Sequence, residues 1–249
     1  LAHIATISTG LKNPRYITFS NGKGFVTNWG DPTDVTDDYV AVLDLSNYTI
    51  TTSISVVEGP ERILEENGKI YVAHLGGYGY GNSISIINAS NNIVSGTIAV
   101  GDVPNAMFTE NNILYVLGGG KAAWTNDETL GTLTKIDLSN NAILGTFNFS
   151  AGEHPSNLVE ENGKMYYTID GAIYTASITA TALPSSSIFS TNPQGVYGVY
   201  SFAVKEDKIY VGDALDFNSN GKIYIYSLTG TVLHEETVGI IPAGFHFND

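Results

Sequence analysis

An internal period of 44 to 51 residues runs the length of this chain and confines it to architectures made from repeated small units. Its marker is an aromatic residue at Phe25, Tyr71, Tyr115, Tyr166 and Tyr210, carried by the segments NGKGFVT, NGKIYVA, NNILYVL, NGKMYYT and EDKIYVG. Eleven residues before each aromatic stands Pro14, Pro60, Pro104 or Pro155, with Val199 in that place in the fifth repeat. Pro242, in the run IPAGFHFND, supplies a sixth anchor.

Each repeat reads as four short strands. Strand a follows the proline (Arg15–Phe19, Arg62–Leu64), and an Asn-Gly type turn, a strong hairpin signal, joins it to strand b with the aromatic. Strand c is YVAVLDL (39–45), NSISIIN (82–88), GTLTKIDL (131–138) and GKIYIYSL (221–228). Its alternation places Val40, Val42 and Leu45, or Ile84 and Ile86, facing inward. Strand d is TITTSI (49–54), IVSGTI (93–98) and ILGTF (143–147), while DGAIYTASITATAL (170–183) is the weakly patterned outer half of the fourth repeat. A single sheet of four such strands cannot bury both of its faces. Radial stacking can, and it leaves only short protected edges. The expected fold is all-β, a β-propeller of four-stranded antiparallel blades in one domain over residues 1–249. Five repeats are complete; HIATIS (3–8) reads as a strand d and GFHFN (244–248) as a strand a. The two ends leave six or seven blades open for the full-length protein, with content missing at the N-terminus.

Composition agrees and excludes several functions. Charged residues make up only 14% of the chain and glycine occurs 27 times, as tight turns between many strands require. The formal charge of −14 argues against a nucleic-acid partner, which needs a basic footprint. No cysteine is present, so neither disulfides nor thiolate chemistry is available. No apolar run reaches the length of a membrane-spanning helix, and Leu1-Ala2-His3-Ile4 does not open a signal peptide.

Up-and-down blades send the b–c loops and d–a connections to one end of each sheet and the a–b and c–d turns to the other. The a–b and c–d turns are terse. The b–c loops differ in every repeat: NWGDPTDVTDD (28–38), HLGGYGYG (74–81), GGGKAAWTNDETL (118–130), a minimal turn at Asp170-Gly171, and GDALDFNSN (212–220). They carry Trp29, His74, Tyr78, Tyr80, Trp124, Asp213 and Phe217, and the d–a connections add Arg15, Arg62, Asn105, His154, Asn157, Tyr197 and Tyr200. Long loops on a rigid scaffold are where binding concentrates, so these fourteen residues are the candidate ligand-binding set. Each has a structural alternative: Arg15 and Arg62 could bond neighbouring carbonyls, the tryptophans could cap blade tops, and the glycines of 76–81 could merely permit a tight loop. Asp31, Asp34, Asp37 and Asp38 do not reproduce a calcium loop and read as solvated. The five histidines lack metal-ligand spacing, and no zinc, nucleophile-elbow or phosphate-loop motif occurs. No cofactor, metal or catalytic residue is expected.

The segments GLKNPRYITFSNGKGFVTNWG (10–30), GTIAVGDVPNAMFTENNILYVLGGG (96–120) and VGIIPAGFHF (238–247) resemble the YncE-like propellers of Bacteroidetes. That resemblance implies a seven-bladed parent at the cell surface or in the periplasm, held by a lipid anchor. It also implies capture of a small molecule or glycan, with a corrinoid such as vitamin B12 and an outer-membrane transporter as partners in one class of the family. The variable loops share no short motif with that class, so no contact transfers by position. The resulting expectation is a non-enzymatic surface binding protein. Its alternatives are a hydrolase or lactonase with a metal at the channel mouth and a protein-interaction scaffold.

Overall fold

A computed structural model describes residues 3–31 and 33–247. It shows the five four-stranded antiparallel sheets that the repeat demands, each in consecutive strand order. The strands fall into two compact units, Leu1–Gly152 and Glu153–Asp249. The first unit holds three blades: β1 (Pro14–Ser20), β2 (Lys23–Asn28), β3 (Tyr39–Asp44) and β4 (Thr49–Ser55); β5 (Pro60–Glu66), β6 (Lys69–His74), β7 (Ser83–Asn88) and β8 (Ile93–Ala99); β9 (Pro104–Glu110), β10 (Ile113–Gly118), β11 (Thr132–Asp137) and β12 (Ala142–Asn148). The second holds two: β13 (Ser156–Glu161), β14 (Lys164–Ile169), β15 (Ala172–Ser177) and β16 (Phe189–Ser190); β17 (Ser201–Lys205), β18 (Lys208–Asp213), β19 (Lys222–Ser227) and β20 (Val232–Thr237).

The recurring aromatic is a spacer between blades. On β6, Ile70 and Val72 point to the first blade and join Phe25, Val40 and Val42. Their neighbours Tyr71 and Ala73 point the other way and join Leu114, Val116 and Ile136 of the third blade. In the second unit Tyr166 and Ile173 meet Val204, Ile209, Val211 and Tyr226 in the same manner. In the first unit strand c is therefore buried on both faces, with Ala41 and Leu43 as covered as Val40 and Val42, because a sheet covered on both sides has no solvent face. In β15 and β19 one set of alternating residues is only half-buried. Leu45 lies beyond β3 and is half-buried.

Hydrogen bonds repeat with the fold. At one end, in the first three repeats, the residue four beyond the aromatic donates to the residue before the proline: Trp29 N to Asn13 O at 3.2 Å, Leu75 N to Gly59 O at 2.9 Å, Gly119 N to Val103 O at 2.9 Å. At the other end the a–b turn accepts from the residue after strand c: Leu45 N to Gly22 O at 3.1 Å, Ala89 N to Gly68 O at 3.0 Å, Ile178 N to Gly163 O at 3.1 Å. The b–c loops and d–a connections thus share one end of their blades, opposite the short turns.

Three strand assignments are corrected. The fourth blade's outer strand is not in 178–183 but is the two-residue β16, after a long c–d loop; Ile173 pairs with Phe189. Residues 3–8 form no strand because no ladder partner lies beside them among the described residues. Residues 244–247 also form none, and Asn248 lies outside the described residues. This last segment nevertheless packs where a sixth anchor belongs. The Ser201 hydroxyl donates to Pro242 O at 2.6 Å, and Phe245 and Phe247 cover Tyr210 at centroid distances of 5.7 and 4.9 Å. Tyr71 is 1% exposed between two blades, so Tyr71→Ala is expected to lower stability by about 3–5 kcal/mol in chemical denaturation, as large-to-small core changes do.

Candidate functional site

The fourteen candidate residues divide into those that bond neighbouring segments together, those held within or against the blades, and those whose rings are exposed. Four of them stitch. The Arg15 guanidinium grips Glu61 with Nε to Oε2 at 2.8 Å and Nη2 to Oε1 at 3.0 Å, and it stacks on Trp29 at 4.2 Å. Glu61 is only 5% exposed, so the ion pair satisfies a carboxylate that burial would otherwise penalise. Arg62 stacks on Tyr16 at 4.1 Å and donates to Asn105 O at 3.0 Å. Asn157 sits at φ 63° and its amide donates to Val199 O at 2.9 Å and Thr168 Oγ1 at 3.0 Å. Arg62, Asn157 and Ser201 occupy the same repeat position, two residues beyond the anchor, and each reaches a backbone carbonyl of the next anchor segment. Their role is to bind one inner strand to its neighbour.

His74 does not reach the surface. As the last residue of β6 it is wholly buried, and its Nε2 shares a hydrogen bond with Ser85 at 2.8 Å. Burial pushes its pKa down to about 4, against a weaker opposite pull from the backbone at Glu58 and Val57. His154 is half-buried just ahead of β13. The glycines near His74 answer to packing. A Cβ on Gly81 would lie 1.9 Å from His74 O, and one on Gly59 1.9 Å from Gly77 N. The four aspartates of the first b–c loop are occupied in shaping it. Asp37 accepts from Asp31 N, Lys12 bridges Asp31 and Asp37, and Asp38 accepts from Gly59 N. No metal-holding group of three or more His, Cys, Asp or Glu side chains occurs among the described residues.

What remains is aromatic. In the first unit Trp29 meets Tyr78 edge-on at 5.8 Å above Asp31, Asp34, Asp38 and Glu58, around a small hollow. Tyr78, Tyr80 and Trp124 project from the b–c loops, Trp124 from a single 3₁₀ turn at 78% exposure. In the second unit Tyr197, Tyr200, Asp213 and Phe217 converge. With Val199, Leu215 and Asp216 they line an open cleft of about 670 Å³, between the connection ahead of β17 and the loop after β18. Tyr200 and Phe217 make an edge contact at 5.5 Å. Asp213 Oδ1 accepts from Leu215 N at 2.9 Å, and the Asp216 carboxylate takes Asn218 N and Ser219 N, so the loop is shaped from within. Leu215 at φ 48° and Phe217 at φ 63° hold a conformation that bulky side chains rarely adopt. Sequence reasoning missed Leu215, Asp216 and Glu61. For Leu215 the available signal was an apolar residue within a loop of Asp, Asn, Ser and Gly.

Among the described residues eight aromatic side chains stand out as exposed: Phe19, Tyr48, Tyr78, Tyr80, Trp124, Tyr197, Tyr200 and Phe217. Six of these lie on b–c loops or d–a connections, each at that end of its own unit's blades.

The His74 ring generates a prediction with a definite sign. The unfolded chain binds a proton near pH 6.5 and the folded chain only near 4. Stability from this group is complete above pH 6.5 and is lost as pH falls toward 4, by up to about 3 kcal/mol. Urea titrations from pH 7 to 4 are expected to show a shallower decline in His74→Gln than in the parent, while an unchanged slope would remove His74 as its source.

No family model matches this chain, and no curated protein matches it. Solved structures do. Hydrazine synthase of Kuenenia stuttgartiensis superposes with a TM-score of 0.66 at 13% identity, over 97% of this chain and 71% of that one. The Pan2 WD40 domain of Neurospora crassa gives 0.61 at 8% identity, over 94% and 68%. BamB from Moraxella catarrhalis gives 0.58 at 12% identity, over 93% and 66%. At these identities the likeness is one of fold, and the fold they share with this chain is the β-propeller.

Proposed function

We propose that this chain is a non-enzymatic protein-interaction propeller that holds a partner on its b–c loops and d–a connections. One observation carries the reading: six of the eight exposed aromatic side chains among the described residues lie at that end of their own unit's blades, all three of the second unit's among them, while the opposite end carries only Phe19 and Tyr48. Large aromatics offer wide contact area with little side-chain entropy to lose, which is why they anchor interfaces. The fold is shared by proteins as different as hydrazine synthase and a WD40 domain, so the exposed aromatics, and not the fold likeness, support this reading. The charge of −14 favours a basic partner surface.

A second reading is capture of a small molecule, such as a corrinoid or glycan, at a cell surface or in the periplasm. The cleft around Tyr197 and Phe217 favours it, since its volume falls within the range of small-molecule sites. The YncE-like resemblance supports the surface setting, a lipid anchor and a transporter partner. A third, a metal-dependent hydrolase, has no such support, and no helix among the described residues is long and apolar enough to cross a membrane.

The readings separate by photo-cross-linking in the source cells. p-Benzoylphenylalanine in place of Trp124 or Phe217 is expected to yield discrete protein adducts, while the same group in place of Tyr48, in a c–d turn, yields none. Adducts from Tyr48 alone, or equal labelling from both ends, would overturn the interaction reading. Absence of protein adducts at every position would transfer the assignment to small-molecule capture.

A further inference from the structure

The cleft of the second unit is specific enough in its chemistry to name what enters it. Its walls are Tyr197, Val199, Tyr200, Ala214, Leu215 and Phe217, of which Tyr197 is 71% and Phe217 55% exposed. Two carboxylates, Asp213 and Asp216, stand among them, and no basic side chain lines the cleft. Lys222, beside Asp213 on the neighbouring strand, is already engaged with Glu235. Asp213 Oδ1 is bound by Leu215 N, leaving Oδ2 without a protein partner among the described residues. The Ser219 and Asn218 N–H groups and the Ser219 hydroxyl hold the Asp216 carboxyl below the usual carboxylate range, so it is ionised at neutral pH.

Aromatic faces carry negative potential and attract cations, most strongly where water is thinned by apolar neighbours. Carboxylates beside such faces add charge and, for a guanidinium, directed hydrogen bonds. A cation alone would leave Val199, Leu215 and Phe217 uncovered, and the volume exceeds what one side chain fills. We propose that this cleft receives an extended partner segment presenting an arginine flanked by apolar residues, the guanidinium at Asp213 between the rings of Tyr197, Tyr200 and Phe217, the flanks against Val199 and Leu215. The inference rests on the partner-binding reading and deepens it. Charge complementarity selects the occupant: an anionic or neutral segment would meet two carboxylates with no compensating cation.

The test uses the full chain and a pool of capped pentapeptides with arginine at the centre and Pro, Leu, Val or Ala at the flanks. A matched pool carries citrulline, which keeps the shape of arginine and removes its charge. Binding followed by 15N-resolved titration is expected to be at least tenfold tighter for the arginine pool, with shifts concentrated at Gly198, Leu215 and Phe217. Asp213→Asn is expected to bring the two pools within threefold of each other. Tyr197→Ala, which alters an exposed side chain and spares the loop's own hydrogen bonds, is expected to weaken the arginine pool at least fivefold. Equal binding of both pools, binding of neither, or arginine amide alone binding as tightly as its pool would overturn the proposal. Failure here with cross-links at Phe217 intact removes only the cationic segment; loss of both removes the partner reading itself.

Discussion

Within each unit everything depends on one blade hiding the faces of the next. A four-stranded sheet with apolar residues on both sides is insoluble alone, and here the odd and even positions of one strand serve two different interfaces. Ile70 and Val72 belong to one layer, Tyr71 and Ala73 to the other. Burial of several large side chains per layer, each worth about 1.5–3 kcal/mol, outweighs any single loop interaction. The loops are therefore freed from maintaining the fold. Only their roots, fixed by the repeated bonds from Trp29, Leu75 and Gly119, need remain constant.

The inner strands add a second constraint, made of polar contacts. Arg15 with Glu61, Arg62 with Asn105, Asn157 with Val199 and Ser201 with Pro242 link each anchor segment to the next within its unit. On these strands charge-assisted and amide hydrogen bonds, to the Glu61 carboxylate and to fixed carbonyls, tie one strand to its neighbour. Because those carbonyls recur with the repeat, side chains as different as Arg, Asn and Ser perform one task at one position.

Fold and site differed in how far the sequence disclosed them. Periodicity is a property of the core, and the core dictates the fold, so the aromatics and anchors located nearly every strand. The fourth outer strand escaped because β16 has two residues and follows a long loop, which leaves no alternation to read. HIATIS resembled a strand because its residues alternate, but a strand exists only with a ladder partner. The candidate residues were located by loop membership, and loop membership cannot separate a side chain turned outward from one turned into the blade. Arg15, Arg62, Asn105 and Asn157 were legible as polar residues near anchors, yet Arg62 and Asn157 bond backbone carbonyls, that of Asn105 among them, which carry no sequence signal, and Arg15 bonds the Glu61 carboxylate of the next anchor segment. His74 closes a strand, and that position buries it. Tyr197, Tyr200, Asp213 and Phe217 were brought together by the fold, while Leu215 was missed because an apolar residue at positive φ in a polar loop contradicts local preference.

The constancy of the loop roots has a consequence for variation. Between β2 and β3 the chain makes a long excursion, and between β14 and β15 only Asp170 and Gly171 intervene, yet the flanking strands pair in the same antiparallel manner. Length at this end is thus decoupled from the pairing of the flanking strands. A descendant, or a designer, can exchange one excursion for another as a cassette, altering what is recognised while the stacked sheets beneath register no change.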